Sequence, residues 1–330
     1  MRRKKVKFGG IKKTKVTIPR KIDLPLKQIS SRNSIKAKRG VVSSKGFIPK
    51  RDGFGTVKAS NYLDWNKRNS SKNLLSWKET EEKMKTKRAV VLLHIFYNEH
   101  SINMQLVSLL KNIPLSFDLY VSLVKGREKN NSTKEFISTH FPTTKFIEVP
   151  NKGKDIGGKL TMFKYLLKKG YHYDYMLLLH DKMSPHSTVV SGESWRNNLL
   201  NGILSHNALK NGFRILEQDK EIVGFGSARW LRGGPTTLVS MVGPRAAVSY
   251  ISKTLDRLGR KKPTHFGFIG GTMFWCRYSS MMTFWSIDTI DKVLSNLEKG
   301  DVREPSYTHA MERILGMILT SYNHKTLLGV

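Results

Sequence analysis

The 330-residue chain carries 58 Lys or Arg against 25 Asp or Glu, a formal charge of +33, with 39% apolar residues and one cysteine, Cys276. A lone thiol excludes an intramolecular disulfide framework and suits a reducing compartment, while the charge predicts an anionic partner. No apolar run approaches the roughly eighteen residues of a membrane helix, and no apolar segment follows the basic start, so the chain is expected to be cytoplasmic, soluble or peripheral at a membrane, with no transmembrane segment or secretory leader.

The charge is concentrated early: residues 1–88 hold 27 Lys or Arg and 6 acids. Over residues 1–60 the apolar positions are isolated and Gly, Ser and Pro recur, so this arm is predicted to be largely disordered, because it cannot bury enough surface to offset its ordering entropy. Tyr62, Leu63, Trp65, Leu74, Leu75 and Trp77 point to short helices over 61–87, and a boundary is drawn near residue 88. From Ala89 the pattern alternates. Ala89–Phe96 is a continuous apolar run, as in a strand covered on both faces. Ser101 can cap a helix bearing Ile102, Leu106, Leu109 and Leu110 on one side. Phe117–Leu123 and Lys145–Val149 read as strands flanking a short helix over Thr133–His140. A helix over Ile156–Lys169 leads to a strand over Tyr175–Leu179. Trp195–Gln218 reads as two helices broken at Asn211-Gly212. Strands are expected at Glu221–Phe225 and Ile269–Arg277, and helices within Val242–Leu258 and at Ile287–Glu298 and Tyr307–Tyr322. Strands separated by helices of this length imply an α/β domain over 89–330 with a mostly parallel central sheet.

Four constellations could carry chemistry. The loop Asn151, Gly153, Asp155, Gly157-Gly158 opens a helix, where unpaired N–H groups suit phosphates. It has neither Walker nor GxGxxG spacing, and it reads equally as an ordinary strand-to-helix turn. His180-Asp181-Lys182 and Ser184-Pro185-His186 crowd the end of an apolar strand. A carboxylate there can hold a cation, and a lysine can neutralise phosphates directly. No zinc spacing is present. Gly270-Gly271-Thr272, before an aromatic strand, suggests close backbone approach. His309 and Glu312, at i and i+3, share a helix face.

In this order the motifs resemble the rhamnan synthesis protein F family of polysaccharide-assembly proteins. The resemblance rests on Asn151 to Gly157, on His180, Lys182, Ser184 and His186, on Trp195-Arg196, on Gly271 to Arg277, and on His309, Ala310, Glu312, Arg313 and Gly316. It spans about residues 89–325 and implies a GT-A-like glycosyltransferase domain preceded by the basic arm. It further implies transfer of a sugar, in a rhamnose-containing or related glycan, from a nucleotide-diphosphate donor to a glycan or lipid-linked glycan hydroxyl. Glu312 then stands as catalytic base with His309 beside it. Asn151, Gly153, Asp155, Gly157, His180, Lys182 and His186 fall on the donor side, and Gly270, Gly271, Thr272, Trp195 and Arg196 on the acceptor side. Asp181 is the candidate ligand for Mg²⁺ or Mn²⁺. This chain departs from a two-acid metal motif, since Lys182 stands near the place of a second carboxylate; metal dependence is left open, and lysine or histidine could supply part of the cation's charge. The alternative from another class is a polyanion-binding protein whose arm, residues 1–60, coats nucleic acid or an anionic membrane surface, with a glycan-binding or inactive transferase-like domain.

Overall fold

Apolar runs and helical stripes alternate along the chain, and in the computed structural model they form one main sheet with helices between its strands. Residues 62–64, 75–183, 191–233, 246–261, 263, 266–300, 302, 306–321 and 326–330 are described. They belong to a compact unit running from Pro49 to Val330. The arm expected over residues 1–60 lies outside the described residues.

In chain order the first elements are β1 (Tyr62–Asp64), α1 (Trp77–Met84), β2 (Arg88–Ile95), α2 (His100–Leu110), β3 (Ser116–Val124), α3 (Asn130–His140) and β4 (Lys145–Val149). Then come α4 (Lys154–Lys169), β5 (Tyr175–His180), α5 (Gly192–Leu204), α6 (His206–Gln218), β6 (Ile222–Gly226), a 3₁₀ turn (Ala228–Trp230) and β7 (Leu231–Gly233). The last are α7 (Ala246–Arg257), β8 (Gly267–Ile269), β9 (Phe274–Arg277), α8 (Tyr278–Met282), α9 (Ile287–Asn296), α10 (Tyr307–Thr320) and β10 (Thr326–Gly329). The main sheet has the order β1-β10-β6-β9-β5-β2-β3-β4, and β7 pairs with β8 in a second, two-stranded sheet. All pairs of the main sheet are parallel except those of β9, which runs antiparallel to both β5 and β6. The protein is thus mixed α/β with a mostly parallel sheet.

The central strands are buried throughout: β2 from Ala89 to Ile95 and every residue of β5. That is why both read as continuous apolar runs rather than alternating ones. α4 lays Ile156, Leu160, Phe163 and Leu166 on the sheet and ends at Gly170, whose φ of +64° closes the helix in the left-handed conformation.

Two local expectations are corrected. The break between α5 and α6 falls at Ser205, whose hydroxyl caps α6 by accepting from the Ala208 N–H at 3.2 Å. Gly212 lies inside α6 because a Cβ there would come within 2.6 Å of the Phe225 ring; this glycine permits close helix–strand packing and breaks nothing. Before residue 89, α1 is a helix as expected, with a Ser76–Glu79 capping box, but Tyr62–Asp64 is a strand paired with β10. The sheet therefore draws on chain upstream of residue 89. Among the described residues no helix is long and apolar enough to cross a membrane.

Candidate active site

Four segments meet at the carboxyl edge of the sheet. β2 and β5 are parallel neighbours with His94 opposite His180. Because β9 is antiparallel, with Phe274 opposite Leu178, the turn that enters it, residues 270–273, arrives at the edge where β5 ends. α4 starts there after β4, and α10 brings Glu312, whose Oε1 accepts from the Gly271 N–H at 2.6 Å.

At the centre is Lys159, fully buried on the inner face of α4. Its ammonium donates to Asp155 Oδ2 at 2.7 Å, to Thr272 Oγ1 at 2.7 Å and to the Thr272 carbonyl at 2.9 Å, with His180 Nδ1 at 3.2 Å. The Thr272 hydroxyl in turn donates to Asp155 Oδ2. Burial alone would raise the Asp155 carboxyl, but the charge of Lys159 and the bonds from Lys159 and Thr272 outweigh it and hold it well below the usual carboxylate range. Burial lowers Lys159 against the pull of Asp155 and Glu312. Burial, reinforced by the two nearby lysines, keeps His180 well below the ordinary histidine range, so its ring is neutral and Nδ1 can accept from the ammonium. This network also holds Thr272 at φ +50°, a left-handed conformation unfavourable for a β-branched residue. Gly271 precedes it at φ +95°, where a side chain would be strained and would meet Leu199 at 2.7 Å.

Lys182 follows one turn of chain later. Its Nζ sits 3.8 Å above the centre of the Trp195 ring, and Trp195 stacks by its ring on Trp230 with centroids 4.7 Å apart and planes 23° from parallel. Arg196 donates from Nη1 to the Lys182 carbonyl at 3.1 Å and from Nε to Gln105 Oε1 at 3.2 Å. Burial lowers Lys182, with Glu312 and Asp155 as the principal charges opposing it. Glu312 is therefore felt by both lysines, and its Oε2 accepts from Arg313 Nη1 at 2.9 Å.

Asp181 lies inside the fold, at the turn after β2. It is 1% exposed. Its Oδ1 accepts from the Phe96 N–H at 2.8 Å and its Oδ2 from Tyr97 and Asn98 at 2.6 and 3.0 Å. The carboxylate ties down the turn after β2, where Asn98 has φ +61°. Burial nevertheless pushes it up to about 7 against those three bonds. Among the described residues no group of three His, Cys, Asp or Glu side chains could hold a metal ion.

The phosphate-friendly loop is likewise turned inward. A Cβ on Gly153 would lie 2.4 Å from Leu297, and one on Gly157 would lie 1.9 Å from the Lys152 carbonyl oxygen. The Gly153 N–H donates to Glu298 O at 2.7 Å. Gly153 accommodates the chain's own Leu297 and Glu298, Gly157 leaves room for the loop's own Lys152 carbonyl, and the N–H groups expected for a ligand are partly spent within the fold. Asn151 is exposed, its carbonyl accepting from Gly300. Gly270 donates to Trp230 O. His309 is half-buried beside its own cap, with Nδ1 2.6 Å from Ser306 Oγ. Ser184 and His186 lie outside the described residues. Residues expected on separate donor and acceptor sides are thus interleaved: Thr272 and Gly271 join Asp155 and Glu312, while Trp195 and Arg196 hold Lys182. Sequence reasoning missed Lys159. Its signal was a lysine on the apolar stripe of α4, four residues after Asp155, where an ion pair forms along a helix face.

Comparison with known proteins places this geometry in context. The family described as rhamnan synthesis protein F matches residues 57–324, most of the chain. No curated protein matches. Among solved structures, the chain is similar to a proposed nucleotide-diphospho-sugar transferase from Desulfovibrio desulfuricans G20, at 12% identity and a TM-score of 0.26, over 73% of this chain and 79% of that one. A likeness at that level fixes neither fold family nor activity.

Proposed function

The chain belongs to the rhamnan synthesis protein F family, and from that membership we propose that it is a glycosyltransferase-like enzyme of polysaccharide synthesis, GT-A-like in architecture. It moves a sugar from a nucleotide-diphosphate donor to a hydroxyl of a glycan or lipid-linked glycan. The reading is supported above all by one observation: Glu312, the Asp155–Lys159 pair and Lys182 come from three distant segments and meet at the carboxyl edge of a mostly parallel sheet, where α/β folds take ligands.

In this mechanism the acceptor oxygen attacks the anomeric carbon, the bond from that carbon to the diphosphate oxygen breaks, and the electron pair leaves on the diphosphate. The acceptor proton passes to Glu312, which is half-buried and fixed by the Gly271 N–H. Lysine charge at the end of β5 stabilises the departing diphosphate. Asp155 and Lys159 contribute by positioning: they lock the 271–272 turn against α4, and with it the hydrogen bond that orients Glu312.

The test is release of free nucleoside diphosphate from a panel of nucleotide sugars in the presence of glycan acceptors. Wild-type protein should release it from at least one donor, and Glu312→Gln, which keeps an acceptor for the Gly271 N–H, should slow release by about 10²- to 10⁴-fold. Unchanged turnover in Glu312→Gln would remove that residue as base.

A further inference from the structure

We propose that the diphosphate is held by the ammonium of Lys182 in place of a divalent cation, and that Trp195 is the residue that positions this ammonium. The inference rests on the transferase reading above and specifies how its donor is bound.

The acids that a metal would need are otherwise engaged. Both oxygens of Asp181 are occupied by the backbone N–H groups of residues 96–98, and an oxygen aimed at a buried turn cannot also face a diphosphate. Asp155 commits its Oδ2 to Lys159 and Thr272 and keeps only Oδ1 outside these bonds. Glu312 is committed to Gly271 and Arg313. A divalent cation on a diphosphate takes most of its ligands from phosphate and water but still needs one or two protein carboxylates. Placed beside Lys159 and Lys182, it would meet two like charges and, among these acids, only Asp155 Oδ1 left to bind it. The donor set does not fit the ion.

Lys182 fits the vacant charge. Lys159 cannot serve, because its three N–H groups already face four acceptors and it has no exposed surface. Lys182 is instead held by an indole face, and among the described residues its Nζ makes no hydrogen bond or ion pair. The distinction matters. A cation–π contact attracts the charge but leaves the three N–H donors unsaturated; a carboxylate partner would have neutralised the charge and filled those donors. Trp195 is prevented from turning away by its stack on Trp230, and the Lys182 backbone is pinned through Arg196 to Gln105. The result is an ammonium fixed in place with donors to spare, beside a neutral His180 that adds no competing charge. Its lowered pKa has the same cause, since burial without a contact anion disfavours the charged form; an arriving diphosphate supplies the missing anion.

The experiment measures binding of UDP, dTDP and GDP to the full-length protein by calorimetry, once in EDTA and once with MnCl₂. At least one diphosphate should bind equally well in both. Lys182→Met should weaken that binding by about ten-fold or more, the loss expected for a charge-assisted hydrogen bond, and Lys182→Arg should retain most of it. Trp195→Phe should weaken binding in the wild-type background and add little once Lys182 is methionine, a coupling that a merely structural tryptophan would not show. Thermal melts of each variant separate loss of binding from loss of fold. Binding that appears only with Mn²⁺, or Lys182→Met binding as wild type in EDTA, would overturn the inference and leave the transferase reading standing. Absence of binding by all three diphosphates under both conditions would take both down together.

Discussion

The ammonium of Lys159 and the carboxylate of Asp155 form a buried pair whose worth is positional more than energetic. Removing one partner of such a pair costs about 3–5 kcal/mol, whereas the intact pair contributes little net stability. What the pair fixes is the left-handed Thr272 and, through Gly271, the orientation of Glu312. Behind it lies His94, buried on β2, its Nδ1 2.9 Å from Ser122 Oγ and its Nε2 without a partner. α4 crosses over it at Gly158, where a Cβ would come within 2.2 Å of the ring. Burial pushes His94 down from 6.5 to about 4, with nearby Asp155 opposing and Lys159 reinforcing the shift. A base whose folded pKa lies below its unfolded one contributes stability that is complete above the unfolded pKa and is lost as pH falls. His94 should therefore contribute at most about 3 kcal/mol above pH 6.5 and surrender it between pH 6.5 and 4. Asp181, raised from 3.8 to about 7, works in the opposite direction: its contribution is present below 3.8 and is lost as pH rises through 7. His94→Asn isolates the first effect. Plotted against pH, the melting temperature of the variant should fall less steeply than wild type between 6.5 and 4. Identical slopes would show that His94 does not stay neutral in the fold.

At the scale of elements, α10 shows how a local pattern places the proposed base. Its first turn is held twice, by Ser306 capping the His309 N–H at 3.2 Å and by Glu298, which accepts from Tyr307 and Thr308 at 2.6 and 3.0 Å. Burial would raise Glu298, but the bonds from Thr308 and Tyr307 hold it below the usual range. One turn on is Glu312, and one turn beyond that is Gly316. A Cβ on Gly316 would lie 2.2 Å from Phe268 Cβ and 2.5 Å from the Gly267 carbonyl oxygen, so the helix rests directly on β8. Gly316→Ala must push α10 off the strand and should cost about 1–3 kcal/mol as overpacking. Because Glu312 shares that face at i−4, the same shift should lengthen its bond to Gly271 and lower kcat more than it raises KM. A melt together with steady-state kinetics checks both; an alanine variant with wild-type stability would mean that the helix packs differently. This spacing was legible in the sequence, since a helix over Tyr307–Tyr322 already sets Glu312 and Gly316 on one side. The role of Gly212 was not. A glycine after an asparagine reads locally as a break, and only the Phe225 ring, supplied by β6, turns it into a packing contact. The packing of the 151–158 loop was hidden for a related reason: Leu297 and Glu298, which pack against Gly153, are over a hundred positions away.

On the scale of the whole molecule, the strands that stood out in the sequence are the buried ones, β2, β3 and β5, because five or six apolar residues in each make a visible run. The edge strand β1 and its neighbour β10 span three and four residues, too few to show a period, and the reversed direction of β9 leaves no local trace. These strands decide how the basic arm can be separated from the folded unit. β1 pairs with β10, the Leu75 backbone is clamped to α6 through Gln218 at 3.0 Å and Arg214 at 2.6 Å, and Met84 is fully buried. A cut at residue 88 therefore removes part of the fold along with the arm. A cut before Pro49, where the compact unit begins, removes sixteen Lys or Arg and one acid and spares β1 and α1. The version starting at Pro49 should keep the wild-type melting temperature and its nucleoside diphosphate release. It should also lose most of the salt-dependent binding to DNA or anionic vesicles, because affinity for a polyanion scales with the number of cations that displace counterions. The version starting at Ala89 should melt earlier and lose activity as well. Equal polyanion binding by the Pro49 version and the full chain would move that function from the arm to the folded unit, whose own cations would then have to carry it.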